Sequence, residues 1–400
     1  MTYDTTSPSS PSRTAPKRDT KQRRRILVLN ERDPEHPRAG GAEIHVERIF
    51  ARLVAEGHHV EWLSTGFGGA QPAVTRNGIE IRRRGPLPLY YATIAARTRR
   101  IVRDEGFDVV VECLNKVPFY SPLYSPVPVL ALCHHLFGAV AFDQVSAPIA
   151  AGVVLSELGI RRAYRDCRFL AISDSTARDL RDRGIAADRI SVSPPGIDAP
   201  AFEVDPEAKR PPRVTYVGRL ERYKRVDVML RAGAQLTERF PDLELLVIGK
   251  GAERGHLEAL ADELGIAGRT RFTGFVEDRE RDALLAGTRV CVFPSEKEGW
   301  GLTVIEANAL GTPVVARDAP GLCDSVRHND TGVLVSVNAG EQTSDETQAY
   351  ATAIGDLLEE SEEAIALRKR CLAWAAHFDW NRAGDDMEEA IETTLAEAIR

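Results

Sequence analysis

Neither a C-x-x-C pair nor a Cys/His cluster at zinc spacing occurs in this chain: its six cysteines, Cys113, Cys133, Cys167, Cys291, Cys323 and Cys371, are scattered over 400 residues. Scattered thiols exclude a disulfide-stapled or zinc-finger architecture and point to reduced, buried cysteines in a cytoplasmic protein. No stretch approaches 18 uncharged apolar residues, which excludes a spanning helix. D-x-D, H-x-x-x-H and carboxylate clusters at ligand spacing are also missing, so no catalytic metal is expected.

With 43% hydrophobic and 28% charged residues, what remains is an ordinary globular composition. The length favours two or three domains. Charge is uneven: residues 1–200 carry 28 basic against 22 acidic side chains, although the whole chain is −7. A basic first half suits an anionic surface or substrate as well as it suits a solvated charge face; no nucleic-acid partner is expected. Residues 1–22, rich in Ser, Thr and Pro without the apolar middle of a signal peptide, read as a disordered tail.

Residues 23–198 alternate short apolar runs (ILVLN, VEWLS, FDVVVEC, VPVLALC, RFLAIS) with helical stretches. In the first helix Val46, Ile49, Phe50, Leu53 and Val54 share one face after a glycine turn at Gly40-Gly41. Residues 199–212, with four prolines and no apolar period, read as a linker. The alternation resumes over 213–375, and a last helical segment occupies 376–400. Such alternation predicts α/β architecture: two Rossmann-like, doubly wound domains facing each other, with the ligand in the cleft beyond the carboxyl ends of their strands.

Two constellations can carry chemistry there. In SEKEGWGLTVIEANAL, the turn from Gly299 to Gly301 falls between a strand end and a helix start, where free N–H groups and the helix dipole favour a phosphate. Glu298 then points into the cleft and Glu306 stands about one turn into the helix; beside a phosphate site, the natural partners of these carboxylates are sugar hydroxyls. In YVGRLERYKRVD, Arg219 and Lys224 follow a strand end and can neutralise a diphosphate leaving group. Two further segments compete. Gly249, Gly251 and Gly255 imitate a dinucleotide fingerprint, but at G-x-G-x-x-x-G spacing and without an acidic ribose partner, which favours a tight turn. His134 and His135 follow a strand of the first domain, and either a structural or a cleft-facing role suits them.

The segment Glu298-Gly-Trp-Gly-Leu-Thr-Val-Ile-Glu306 resembles the E-x7-E signature of retaining glycosyltransferases of family 4, which have the GT-B fold. GGAE at 40–43, ISDSTARDL, VSPPGID, VGRLERYK, GTPVVA and the closing FDWNRAGDDMEE resemble further family segments, and the likeness spans roughly residues 25–395. The resemblance implies that Arg219 and Lys224 hold the donor diphosphate, Glu306 the nucleotide ribose and Glu298 the transferred sugar. It further implies that the backbone at Gly301, Leu302 and Thr303 meets sugar and phosphate, that Val276 meets the base, and that Gly40 and Gly41 approach the diphosphate from the opposite domain. His134 resembles the family's histidine near the donor sugar; the His-His doublet keeps His135 as a rival, and PPG stands where many members have PNG.

The implied reaction moves a hexose from a UDP- or GDP-sugar to a hydroxyl acceptor, with retention, without metal or other cofactor, the departing phosphate taking the acceptor's proton. Beside it stand an NAD-dependent oxidoreductase and a non-catalytic sugar-nucleotide-binding protein. Finally, Tyr90, Tyr91 and Ile94 precede Arg97, Arg99, Arg100 and Arg103 on one helix. That stretch suits either packing on the sheet or peripheral contact with an anionic membrane on its cytoplasmic face, each basic residue adding on the order of 1 kcal/mol there.

Overall fold

The structure, a computed structural model, describes residues 22–115, 117–138, 142, 146–337 and 343–399; all of the expected tail except Gln22 lies outside them. Single-turn helices aside, the first half runs β1 (Arg25–Leu29), α1 (Gly41–Ala55), β2 (His59–Ser64), β3 (Ala73–Arg76), β4 (Ile79–Arg83), α2 (Leu87–Glu105), β5 (Val109–Leu114), β6 (Val129–Cys133), α3 (Ala147–Glu157), β7 (Arg168–Ala171), α4 (Asp174–Asp182) and β8 (Ile190–Val192). The second half runs β9 (Arg213–Val217), α5 (Val226–Gln235), β10 (Glu244–Ile248), α6 (Arg254–Glu263), β11 (Thr270–Gly274), α7 (Asp278–Ala286), β12 (Val290–Phe293), α8 (Leu302–Ala309), β13 (Val314–Arg317), β14 (Gly332–Val335), α9 (Thr343–Leu358), α10 (Glu362–Ala375) and α11 (Trp380–Ala398).

The strands form two sheets, ordered β3-β4-β2-β1-β5-β6-β7-β8 and β11-β10-β9-β12-β13-β14. Every pairing is parallel except β3 with β4. Central strands such as β1 and β5 are covered on both faces, which is why they read as unbroken apolar runs. Around them α1 buries Val46, Ile49, Phe50 and Leu53, as its 3.6-residue period dictates. The antiparallel β3–β4 hairpin turns on Asn77 and Gly78, both with positive φ, the pairing that two-residue hairpin turns demand.

The chain crosses between the sheets twice, and the crossings touch. A Cβ on Gly196 would lie 2.3 Å from the Trp380 nitrogen, so only glycine allows this approach. From there α11 lies against the first half. Arg24 pairs with Glu392 (2.6 Å), the Ser193 hydroxyl donates to Asp386 (2.7 Å), and His58, which accepts from the Arg24 N–H, faces Glu388 at 3.5 Å. Residues 199–212 contain no helix or strand, but the buried Arg210 donates to the carbonyls of Thr288, Leu310 and Gly311, fastening this segment to the second half.

Helix α2 turns its tyrosines inward. The Tyr90 hydroxyl donates to the carbonyls of Asn30 and Leu63, and the Tyr91 hydroxyl donates to Glu31. Tyr90, Ile94, Thr98 and Val102 form its buried stripe, leaving the arginines but not the tyrosines for any surface contact. Among the described residues no helix is long and apolar enough to cross a membrane.

Candidate active site

Two helix N-termini meet across the cleft. Helix α1 starts at Gly41, after a Gly40 whose N–H donates to Glu43 (2.8 Å). Helix α8 starts at Leu302, after Gly301 in the left-handed region (φ 94°), where a Cβ would press on Ser325 Oγ at 3.1 Å. A Cβ on Gly41 would come within 3.1 Å of Leu302 Cδ1, so the two first turns are in near contact. First-turn N–H groups have no partner within their own helix, which leaves those of Leu302 and Thr303 open to an anion.

The loop before α8 also reaches the opposite sheet. A Cβ on Gly299 would lie 3.1 Å from the His134 carbonyl oxygen, and the Lys297 ammonium donates to the Leu136 carbonyl. From below, the Glu298 N–H donates to the Pro320 carbonyl (3.0 Å). Glu298 itself is held by Lys224 in a short, mostly buried ion pair. Lys224 belongs to a single turn, Arg222–Lys224, which the Glu296 N–H joins through the Tyr223 carbonyl (3.0 Å). Arg219 is exposed and donates to the Tyr223 hydroxyl (2.9 Å). The structure therefore brings Arg219, Lys224, Glu298, Gly301, Leu302 and Thr303 into one neighbourhood, with Gly40 and Gly41 opposite.

Glycines 249 and 251 support that neighbourhood. Cβ atoms there would fall 1.8 Å from the Gly218 oxygen and 2.1 Å from the Leu220 oxygen, while the Leu220 N–H donates to the Lys250 carbonyl (2.9 Å). The G-x-G pattern is the platform under the Arg219–Lys224 loop, as a tight turn requires.

Glu306 sits half-buried on α8 beside Arg281 of α7, 3.8 Å away. Burial raises its pKa above the usual carboxylate range; Arg281 opposes this, and Asp282, Asp278 and Asp198 add to it. Arg281 also pairs with Asp282 (3.0 Å), which accepts from the Ala201 N–H of the interdomain segment (3.2 Å). Sequence reasoning missed Arg281, since one arginine in DRERDALL carries no signal of its own. Val276, in the loop after β11, is partly buried against the core.

His134 is buried. Its Nε2 lies 3.1 Å from His45 Nδ1 of α1, and its Nδ1 has no hydrogen-bond partner among the described residues. His135 instead lies edge-on to Phe137 (4.8 Å) and near Gly299. His45 is the second residue missed; it lies on the buried face of α1, where a lone histidine reads as core. Burial pushes the His45 pKa down to about 4, and burial followed by its histidine neighbours pushes that of His134 lower still than the ordinary imidazole value. The folded state thus favours neutral His45, whereas the unfolded chain protonates it near pH 6.5. As pH falls from 6.5 towards 4 the unfolded state binds more protons, so stability is expected to drop, by roughly 3 kcal/mol for a displacement of this size. Thermal melts across that window should show a smaller drop for His45→Gln; an unchanged slope would count against the buried neutral pair.

The chain is similar to known proteins in both sequence and fold. Residues 39–200 match the family described as Glycosyltransferase Family 4, and residues 199–371 match Glycosyl transferases group 1. A D-inositol 3-phosphate glycosyltransferase of Nocardia farcinica is 33% identical over 398 residues, covering 90% of this chain and 86% of the relative. That of Acidothermus cellulolyticus is 28% identical, covering 90% and 87%. Among solved structures, sucrose-phosphate synthase of Thermosynechococcus elongatus superposes with a TM-score of 0.75 at 23% identity over 94% of this chain and 100% of its own. Anabaena HepE in complex with UDP and glucose gives 0.71 at 19% identity over 92% and 100%.

Proposed function

This chain belongs to glycosyltransferase family 4 and has its GT-B fold, and from that premise we propose that it transfers a hexose from a nucleoside diphosphate sugar to a hydroxyl acceptor, with retention and without a metal. The observation that carries the proposal is the meeting of the two helix N-termini at Gly41 and Leu302, with Lys224 and Arg219 on the same side. Open N–H groups and two cations suit a diphosphate, and Glu298 and Glu306 suit the hydroxyls at its two ends.

In this proposal the glycosidic bond breaks towards the terminal phosphate. Negative charge grows on that phosphate, where fixed cations and N–H groups lower the barrier more than they lower the ground state. The acceptor hydroxyl attacks from the same face and gives its proton to the departing phosphate oxygen, so neither glutamate becomes a covalent nucleophile. Glu306 holds the ribose, Glu298 orients the sugar, Val276 borders the base, and His134 flanks the sugar from the first domain.

UDP-sugars are the first donors to assay, because solved neighbours hold UDP and UDP-glucose. D-inositol 3-phosphate is the first acceptor, because relatives are named for it. GDP- and ADP-sugars complete a thermal-shift panel. Proton NMR of the new linkage should show the donor's anomeric configuration, and EDTA should leave the rate unchanged. An inverted product, or activity lost to EDTA and restored by manganese, would overturn the mechanism.

A further inference from the structure

Helix α3, APIAAGVVLSE, contradicts its own composition. It has no charged side chain before Glu157, yet only Ala150 and Glu157 are buried. A helix that is apolar all round belongs inside a protein or against a partner. Here Ile149 is 58% exposed and Leu155 70%, Leu158 just beyond is 68%, and Leu123 on the adjoining turn is 66%.

Leu155 and Leu158, three residues apart, make an exposed apolar ridge along one side of the helix end, beside the turn that carries Leu123, while Ile149 is exposed on another side. The Tyr120 hydroxyl donates to the Ser156 carbonyl, joining the 121–123 turn to the end of α3, and Arg99 donates to the Tyr124 carbonyl (3.0 Å), joining the same turn to α2. Exposed arginines lie on the neighbouring segments: Arg99, Arg100 and Arg103 on α2, and Arg161 and Arg162 after α3. The ridge is also tied to the active site. The buried Glu157 carboxylate accepts from the N–H groups of Phe137 (2.7 Å) and Gly138 (3.0 Å), in the loop that continues from His134 and His135.

We propose that α3, with Leu123, is a docking surface for an anionic lipid bilayer. Aliphatic side chains enter the acyl boundary while the neighbouring arginines meet phosphate headgroups, which is how interfacial helices bind. A second copy of this chain is the poorer occupant, since a two-fold contact on this face sets these arginines against their own copies. Glu157 then holds the cleft mouth at the membrane surface. Docking does not depend on which sugar donor is used, so it stands or falls apart from that assignment.

The test is sedimentation of the full chain with vesicles of phosphatidylcholine alone and of phosphatidylcholine mixed with phosphatidylglycerol. The protein should pellet only with the mixed vesicles and be released by high salt. Leu155→Glu/Leu158→Glu should lower partitioning by about tenfold or more. Both leucines are exposed, so the variant should melt like the parent and show the parent's thermal shift with UDP, which separates lost docking from misfolding. Binding to neither vesicle type overturns the proposal, as does a variant that partitions like the parent. So does a dimer, seen by sedimentation velocity, that the two glutamates split while vesicles stay unbound.

Discussion

Replacing Lys224 with alanine is expected to lower kcat by about 10²- to 10³-fold, the usual cost of removing one fixed donor from developing charge. The melting temperature should hardly move. The ion-pair partner of Lys224 is Glu298, which keeps a fifth of its side chain in contact with solvent and can be rehydrated. Lys224 and Glu298 occupy each other. In the proposed complex, donor binding exchanges that pair for two new ones, ammonium to phosphate and carboxylate to sugar hydroxyl, so the effects of Lys224→Ala and Glu298→Gln should not multiply. A double variant no worse than the poorer single one is the expected result of a mutant cycle. Lys224→Ala turning over within threefold of the parent at saturating donor would remove this lysine from the leaving-group site.

What the sequence makes legible follows from how each signal is encoded. Parallel strands covered on both faces, such as ILVL and VVVECL, announce themselves as apolar runs. Helix α5 ends at Gln235, where residues 236–239 turn away before Phe240 packs on the core. The β3–β4 hairpin escapes a search for apolar runs, since AVTR is an exposed edge strand; its Asn77-Gly78 turn is the signal that finds it. Tyr90 and Tyr91 show the limit of counting along α2. The stripe that is buried, Tyr90-Ile94-Thr98-Val102, and the arginine face are both consistent with helical spacing, and only the acceptor carbonyls of Asn30 and Leu63 decide which way the ring points.

The site divides in the same way. Glu298, Gly301 and Glu306 are local in sequence, so their arrangement around one helix start is readable from spacing alone. Partners contributed by other segments are not. The His45–His134 contact joins residues 89 apart, and Arg281 meets Glu306 from a different helix. Neither pairing leaves a trace in composition, and each acts, after burial, on the pKa of a residue that sequence does identify.

Glu306→Ala should cost about 10²-fold in kcat/KM for the donor, with little change in melting temperature, because it removes a charge-assisted hydrogen-bond acceptor rather than a packed side chain. The pH dependence distinguishes this role from a merely structural one. Burial and the neighbouring Asp282, Asp278 and Asp198 hold the Glu306 carboxyl above its ordinary range, and Arg281 is what keeps it from rising further. A carboxylate accepts both ribose hydroxyls, whereas its protonated form loses acceptor capacity. Donor KM should therefore climb as pH falls into the raised carboxyl range, and the climb should vanish in Glu306→Gln, which is neutral at every pH. Arg281→Gln removes a neighbouring cation that favours the charged form, so its climb should begin at higher pH than in the parent. Should Arg281→Gln leave the acid limb of the donor KM profile where it was, Arg281 does not set the charge of Glu306 and the ribose assignment loses its electrostatic basis.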